Sequence, residues 1–521
     1  MNLATDETRI IKRNFGLFIS ATTIFATTKR ITPNHPCLIR EIPWLSSILP
    51  CSTQRSRFKG TAPSMKKAYN GKFARPSRQL PGTTVPMTRP CSLVLFCAIF
   101  CAGCQEEPIH QPQAGSSAAR ISAAVKLRLL VVEDPELAAG IRLLSGEWSE
   151  RSGGELIVDE SSLADVLAGK NLAADLVIFP SRHLGTFVVR DWLRPVRDSV
   201  LADAELAFGT FLPVLRDHSI RYGDKVWGMP LGEIPLVLAW RGKLPAKLPT
   251  TWKQLDQLQP RMEFEAAQAG PVSWTRFPIA AEFIARTVAA TPLGERATLF
   301  FDPTTMNAQL DLPQMVGALE QLRRATGTVP DSASLSIEVT IPGRSERDES
   351  QLSPLLAEDQ VFNSSLNRWE KNENPEPLLL GGFAGRLVGV TQSTRNAASA
   401  FKLLPWLLNT QTTSQLSRRC QIPLWIRASQ IPELVTGPRG AGGSENVVWL
   451  SKLLRGDQVY LLPRVPGIDE YLAALNEVLQ DRESPATQVL AAVEQKWDAI
   501  TAAYGKDRQQ VALRRHQGIA D

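Results

Sequence analysis

The stretch from Met87 to Cys104, MTRPCSLVLFCAIFCAGC, constrains this chain more than any other. It opens with Arg89, runs without a charge from Ser92 to Phe100, and closes on Cys101-Ala102-Gly103-Cys104, just before Gln105, Glu106 and Glu107. A positive start, an apolar centre of about 7–15 residues and small residues before a cut form the layout of a secretory signal. The run is too short for the ~20 residues that a membrane span needs. A buried core helix is the competing reading, but such a helix would not end in a small-small-Cys step followed by a charged linker.

This reading divides the chain. Residues 1–86 hold 14 Lys and Arg against three acids, show no period of 2 or 3.6, and are broken by eight prolines. They are expected to precede the true start, at Met87 or at Met65 with Lys66-Lys67 behind it. The other account is a disordered basic extension. From Cys104 onward there are 43 basic and 49 acidic residues, a net of −6, although the whole chain is +6. The basic balance therefore belongs to the leader, and no nucleic-acid partner is expected for the body. The closing Ala-Gly-Cys resembles the lipobox of bacterial lipoproteins, with Cys101 where Leu is usual. That implies a lipid on the Cys104 thiol and attachment of the mature chain to a membrane. Five of the seven cysteines precede Cys104, and only Cys420 follows it. An exported body without a disulfide depends on its core, and about 400 residues give room for two or more units.

Residues 105–125 are a polar tether rich in Pro, Gly, Ser and Gln. A strand is expected from Lys126 to Val132, then a helix from Glu136 to Arg151, with Leu137, Ile141, Leu144 and Trp148 on one face. Glu155 to Val158 reads as a second strand, Ser162 to Gly169 as a helix and Ala174 to Phe179 as a third strand. That order predicts a parallel sheet covered on both faces. Ligands of such sheets sit beyond the carboxyl ends of the strands, which places Glu133, Asp134, Ser181, Arg182 and His183 to line a site. For Glu133 and Asp134, capping of the helix before Pro135 is an equal alternative. A strand from Ile234 to Trp240 and a helix capped by a Thr before Trp252 follow.

Several segments then form a pattern over about 380 residues. Ala174-Asp175-Leu-Val-Ile-Phe179, Trp192-Leu193-Arg194-Pro195-Val196, Tyr222 to Pro230, Pro249-Thr-Thr-Trp-Lys-Gln-Leu255, Phe301-Asp302-Pro303-Thr304, Leu462 to Gly467 and Trp497 to Gly505 stand in a shared order. In that order they resemble the extracellular solute-binding proteins of ABC importers, in particular the sugar-binding group. Trp240-Arg241 departs from the aromatic-Asn usual after the crossing strand. The resemblance implies an α/β, two-lobed periplasmic-binding-protein-like fold (type II), each lobe a mainly parallel sheet flanked by helices and joined by crossing hinge strands. Lobe one would comprise 126–231 with 389–430, and lobe two 235–387 with 431–521.

It also implies a monomer that takes a small polar solute, a sugar or oligosaccharide, into the interlobe cleft and delivers it to a permease, without a cofactor or metal. Sugar recognition needs aromatic faces with carboxylates, amides and Arg. Besides the five loop residues, Glu233, Trp274, Arg276, Trp369 and Trp425 are candidates, with Tyr471 a later one. Each tryptophan also has a packing role open to it, and Trp148, Trp252, Trp406 and Trp497 on helical apolar faces read as core. Other readings are a ligand sensor with the same fold, partnered with a signalling receptor, and an exported carbohydrate-active enzyme. Against an enzyme, the chain has no His-Glu-x-x-His and no Gly-x-Ser-x-Gly, and its glycine-rich Gly437–Gly443 lacks the Lys-Ser/Thr of a phosphate loop. Mass spectrometry of the mature protein should find a chain that begins at a lipidated Cys104; an intact residue 1 would refute the processing.

Overall fold

Alternating apolar side chains and a helix that opens on Pro135 decide how the described part of the chain begins. In the computed structural model these are residues 125–233, 235–241, 247–258, 261–262, 277–325, 334–339, 351–420, 424–432, 444–455 and 458–519. All belong to the compact unit His110–Asp521. The leader, the signal with Cys104, the tether, Trp274, Arg276 and Gly437–Gly443 lie outside the described residues.

Nine strands make two main sheets: β1 (Lys126–Val132), β2 (Glu155–Ser161), β3 (Leu176–Pro180), β4 (Met229–Pro230), β5 (Leu236–Arg241), β6 (Arg261–Met262), β7 (Ser334–Val339), β8 (Gln351–Pro354) and β9 (Arg386–Val390). The first sheet has the order β2-β1-β3-β9-β4. Its β1, β2 and β3 are parallel, as βαβ connections through the helix Pro135–Ser152 require. β9 joins β3 antiparallel. Every residue of β3 and β9 is buried, as expected for strands covered on both faces.

The second sheet has the order β8-β5-β7-β6. Here the expectation of a mainly parallel sheet is corrected: β5 pairs antiparallel with both β7 and β8, and only β6 with β7 is parallel. Antiparallel pairing needs no helical crossover, so the alternating pattern read from the first 60 residues of the body does not carry over. The chain crosses from the first sheet to the second between β4 and β5, and returns through β9.

Helices fill the flanks. Pro135–Ser152 packs on Thr410–Cys420, where Gly140 admits the Cys420 thiol; a Cβ there would sit 2.3 Å from Sγ. Trp148 meets Trp406 at 5.8 Å, as their apolar faces predict. In the second half, Phe301 stacks on Trp497 at 5.1 Å, and Tyr471 lies edge-on against both with its hydroxyl 2.8 Å from that of Thr501. Tyr471 is thereby placed in the core, tying the helices Ile468–Val478 and Ala486–Tyr504. The last helix, Lys506–His516, packs on Leu184–Val189, and Tyr222 Oη donates to Ala512 O at 2.9 Å.

One backbone contact is especially tight. Gly185 lies against the carbonyl of Arg464, so that a Cβ would come within 1.7 Å of that oxygen. The Arg464 guanidinium fixes the opposing loop by donating to Ser219 O at 2.7 Å and Arg221 O at 2.6 Å. His516, half-buried beside it and kept neutral by desolvation and the Arg464 charge, accepts from Nε at 3.1 Å. Gly185→Ala should therefore destabilise the protein by about 3 kcal/mol or more in urea unfolding. Gly146→Ala, on an exposed helical position with nothing within 4 Å, should instead stabilise it by ~0.5–1 kcal/mol.

Candidate functional site

Where β1 ends, the chain must turn sharply into a helix that starts with Pro135. Glu133 takes the turn at φ 58°, and Asp134 caps the helix, accepting from Leu137 N at 3.1 Å. The other Asp134 oxygen receives Arg386 Nε, from the first residue of β9. Asp134 is therefore the helix cap, and its second oxygen ties that cap to β9.

β3 ends at Pro180, and the tight turn Ser181–His183 follows. Ser181 N donates to Gly385 O at 2.8 Å. Glu233, on the crossing out of β4, accepts from Gly382 N at 3.0 Å and from Ser181 Oγ at 3.5 Å. Its own carbonyl accepts from Trp425 Nε1 at 3.0 Å, so the fully buried Trp425 braces the crossing rather than offering a face. Gly385 makes this possible, since a Cβ there would lie 1.9 Å from Glu233 Oε2.

Arg182 reaches Asp469 at the start of the helix Ile468–Val478, with Nε to Oδ1 at 2.6 Å and Nη2 to Oδ2 at 3.2 Å. It also stands 3.8 Å from Glu133. His183 Nε2 is 3.3 Å from Asp469 Oδ2. Asp469 sits in the first helical turn, where the macrodipole favours a carboxylate.

Burial divides these groups into two layers. Asp134, Ser181, His183, Glu233 and Arg386 are at most 3% exposed. The side chains of Arg182, Asp469 and Glu133 are 12%, 19% and 28% exposed. The outer three, two acceptors around one forked donor, suit hydroxyl groups that both give and take hydrogen bonds. The inner five hold the turn, the crossing and the helix start in register.

The electrostatics agree with this division. Burial alone would push Asp469 up, but the His183 hydrogen bond and the Arg182 charge hold its carboxyl well below the usual range. Burial lowers His183, against the pull of Asp469. Burial raises Glu233 from 4.5 to about 7, against the Gly382 and Ser181 hydrogen bonds. Among the described residues no group of three or more His, Cys, Asp or Glu is placed to hold a metal.

Six of the ten expected ligand-site residues thus converge: Glu133, Asp134, Ser181, Arg182, His183 and Glu233. Trp425 touches them through the Glu233 backbone. Trp369 does not; it stands on the hairpin of Gln360–Asn363 with Arg368–Lys371, beside a separate cavity. Sequence reasoning missed Arg386, Asp469 and Gly385. The only local signals were a charge opening the apolar run Leu387–Val390 and an acid just after Gly467.

No family model matches the sequence, and no curated protein matches it. Solved structures do match in shape. One is an ABC transporter solute-binding protein from Agrobacterium radiobacter K84 in complex with ribitol: 17% identity, 72% of this chain, 98% of that one, TM-score 0.52. A second is a cyclo/maltodextrin-binding protein complexed with maltotetraose: 15% identity, 72% and 97% covered, TM-score 0.52. A third is the sugar-binding protein MalE from Xanthomonas citri: 13% identity, 73% and 99% covered, TM-score 0.51. The fold is that of the two-lobed solute-binding proteins.

Glu233 offers a test of the inner layer. Its raised folded-state value means that its contribution is most favourable below about pH 4.5 and declines as pH rises toward 7, because the unfolded chain releases the proton first. Glu233→Gln removes that slope. Urea unfolding at pH 4.5 and pH 8 should show the variant gaining on the parent by up to roughly 3 kcal/mol across the interval. Parallel pH profiles would show that Glu233 is not protonated in the fold.

Proposed function

We propose that this is an extracytoplasmic solute-binding protein that captures a small polar solute, a sugar or polyol, and hands it to an ABC importer permease without chemical change. The observation that carries the reading is the meeting of Arg182, Glu133 and Asp469 beyond the carboxyl ends of β1 and β3, in a fold shared with binders of ribitol and maltotetraose. In this reading Arg182 is the central donor, Asp469 and Glu133 accept from hydroxyls, and the buried layer beneath carries the hinge. The chain crosses between the sheets on either side of that layer, at Glu233 and Arg386, so closure of the lobes around the crossings acts directly on the ligand groups. The signal and Cys104 add lipid attachment on the outer face of a membrane.

A thermal-unfolding screen against sugars, polyols, amino acids and polyamines tests this. A ligand at 100 times its dissociation constant adds about 2.7 kcal/mol of stability, so at least one sugar or polyol should raise the melting temperature by several degrees. Arg182→Lys keeps the charge but loses the two-pronged geometry and should weaken that ligand at least tenfold. No shift with any sugar or polyol would overturn the carbohydrate assignment, and a shift unaltered by Arg182→Lys would remove the ligand from this cluster.

A further inference from the structure

The cavity beside Trp369 belongs to a different face. It encloses about 440 Å³ between the helices Trp252–Leu258, Pro278–Ala289 and Pro313–Ala325 and the hairpin that carries Trp369. That volume falls within the ~300–1,000 Å³ range of small-molecule sites. None of its lining residues belongs to the cluster around Arg182.

Three features describe what it could hold. Trp369 is 42% exposed although it is among the largest apolar side chains in the protein. Phe362 lies edge-on to the indole at 5.5 Å, and Gly317 leaves room beside it, where a Cβ would meet the ring at 3.8 Å. Next, two buried acceptors line the cavity without a hydrogen-bond partner: Gln314 Oε1, on a residue 2% exposed, and Glu358 Oε1, on a residue 6% exposed. Buried acceptors of this kind are costly unless a donor reaches them. Last, the charges nearly cancel, with three basic and four acidic side chains in the lining.

The largest local charge is already committed. Arg286 is fully buried, bonded to Glu282 Oε1 at 2.9 Å and Asp256 Oδ1 at 3.2 Å, and lies 4.2 Å over the Trp252 ring. It shapes the floor and is not available to an anion. Burial raises Glu358 to about 7, against the Arg286 charge, so near neutrality this carboxyl can donate as well as accept. A phosphate would set its negative charge against the four acidic side chains of the lining, and it brings few hydroxyl donors to the two unpartnered oxygens. A hydroxylated ring offers several, together with an apolar face that can lie on an exposed indole.

We propose that this cavity is a second binding site, for a neutral sugar ring stacked on Trp369 with its hydroxyls donating to Gln314 and Glu358. It goes beyond the ligand cluster at Arg182 and needs no part of it. A protein with both sites would hold one sugar unit on its flank while the cluster holds another.

The full-length chain labelled with 5-fluorotryptophan tests this by fluorine NMR, with the Trp369 resonance assigned from Trp369→Phe. Glucose and maltose should each move that resonance saturably, whereas spermidine and inorganic phosphate should not. Gln314→Ala and Glu358→Gln should each weaken the titration at least tenfold, while Arg182→Lys leaves it unchanged. The proposal is overturned by no saturable change with either sugar, by saturation with spermidine or phosphate alone, or by a sugar titration that both cavity variants leave unaltered. A titration lost in Arg182→Lys but retained in the cavity variants would also overturn it, by assigning the effect to the cluster.

Discussion

The ion pair between Arg386 and Asp134 is the contact on which the rest of this arrangement depends. Both side chains are almost wholly buried, and taking two charges out of water costs several kcal/mol each before their attraction offsets it. Asp134 lowers that cost by capping the first helix with its other oxygen. The pair therefore joins the start of β9 to the end of β1, residues 252 apart in sequence. Glu233 and Ser181 assemble around the same strand start, and their spacing requires Gly385. Breaking a buried pair of this kind by removing one partner is far more damaging than never having made it, so the register of the crossing is strongly specified.

From this base the site is layered. The buried groups tie the turn, the crossing and the helix start together and set geometry, whereas Arg182, Glu133 and Asp469 retain a path to solvent. In the proposed function, such a division would couple binding to hinge motion at the crossings. The cavity at Trp369 follows a different logic. Its floor is built on Arg286, Glu282 and Trp252, and of its unsatisfied acceptors Gln314 stands on the helix Pro313–Ala325 and Glu358 in the loop just before the hairpin.

Much was legible from residues in order. The spacing of Leu137, Ile141, Leu144 and Trp148 located the first helix, the apolar runs located β1 and β3, and their alternation gave a parallel sheet. That placed Glu133, Asp134 and Ser181 to His183 at strand ends, where the structure brings them together. Trp425 and Trp369 were legible only as tryptophans. Burial turned the first into a brace on Glu233 and left the second on a separate face, and nothing in their neighbours along the chain distinguishes the two. The mainly antiparallel second sheet was not foreseen, because strand direction depends on long-range pairing that local pattern does not encode.

What the sequence determined by itself is therefore local: the apolar runs of β1 and β3, the periodic faces of the helices and the caps that start them. These follow from hydrophobic spacing and backbone chemistry within about ten residues. Only the tertiary structure decided that Arg386 and Asp469 complete the cluster, that Gly385 makes room for the Glu233 carboxylate, and that Gln314 and Glu358 share a cavity with Trp369. Those facts depend on which segments meet across hundreds of residues, and on which polar atoms burial leaves without a partner.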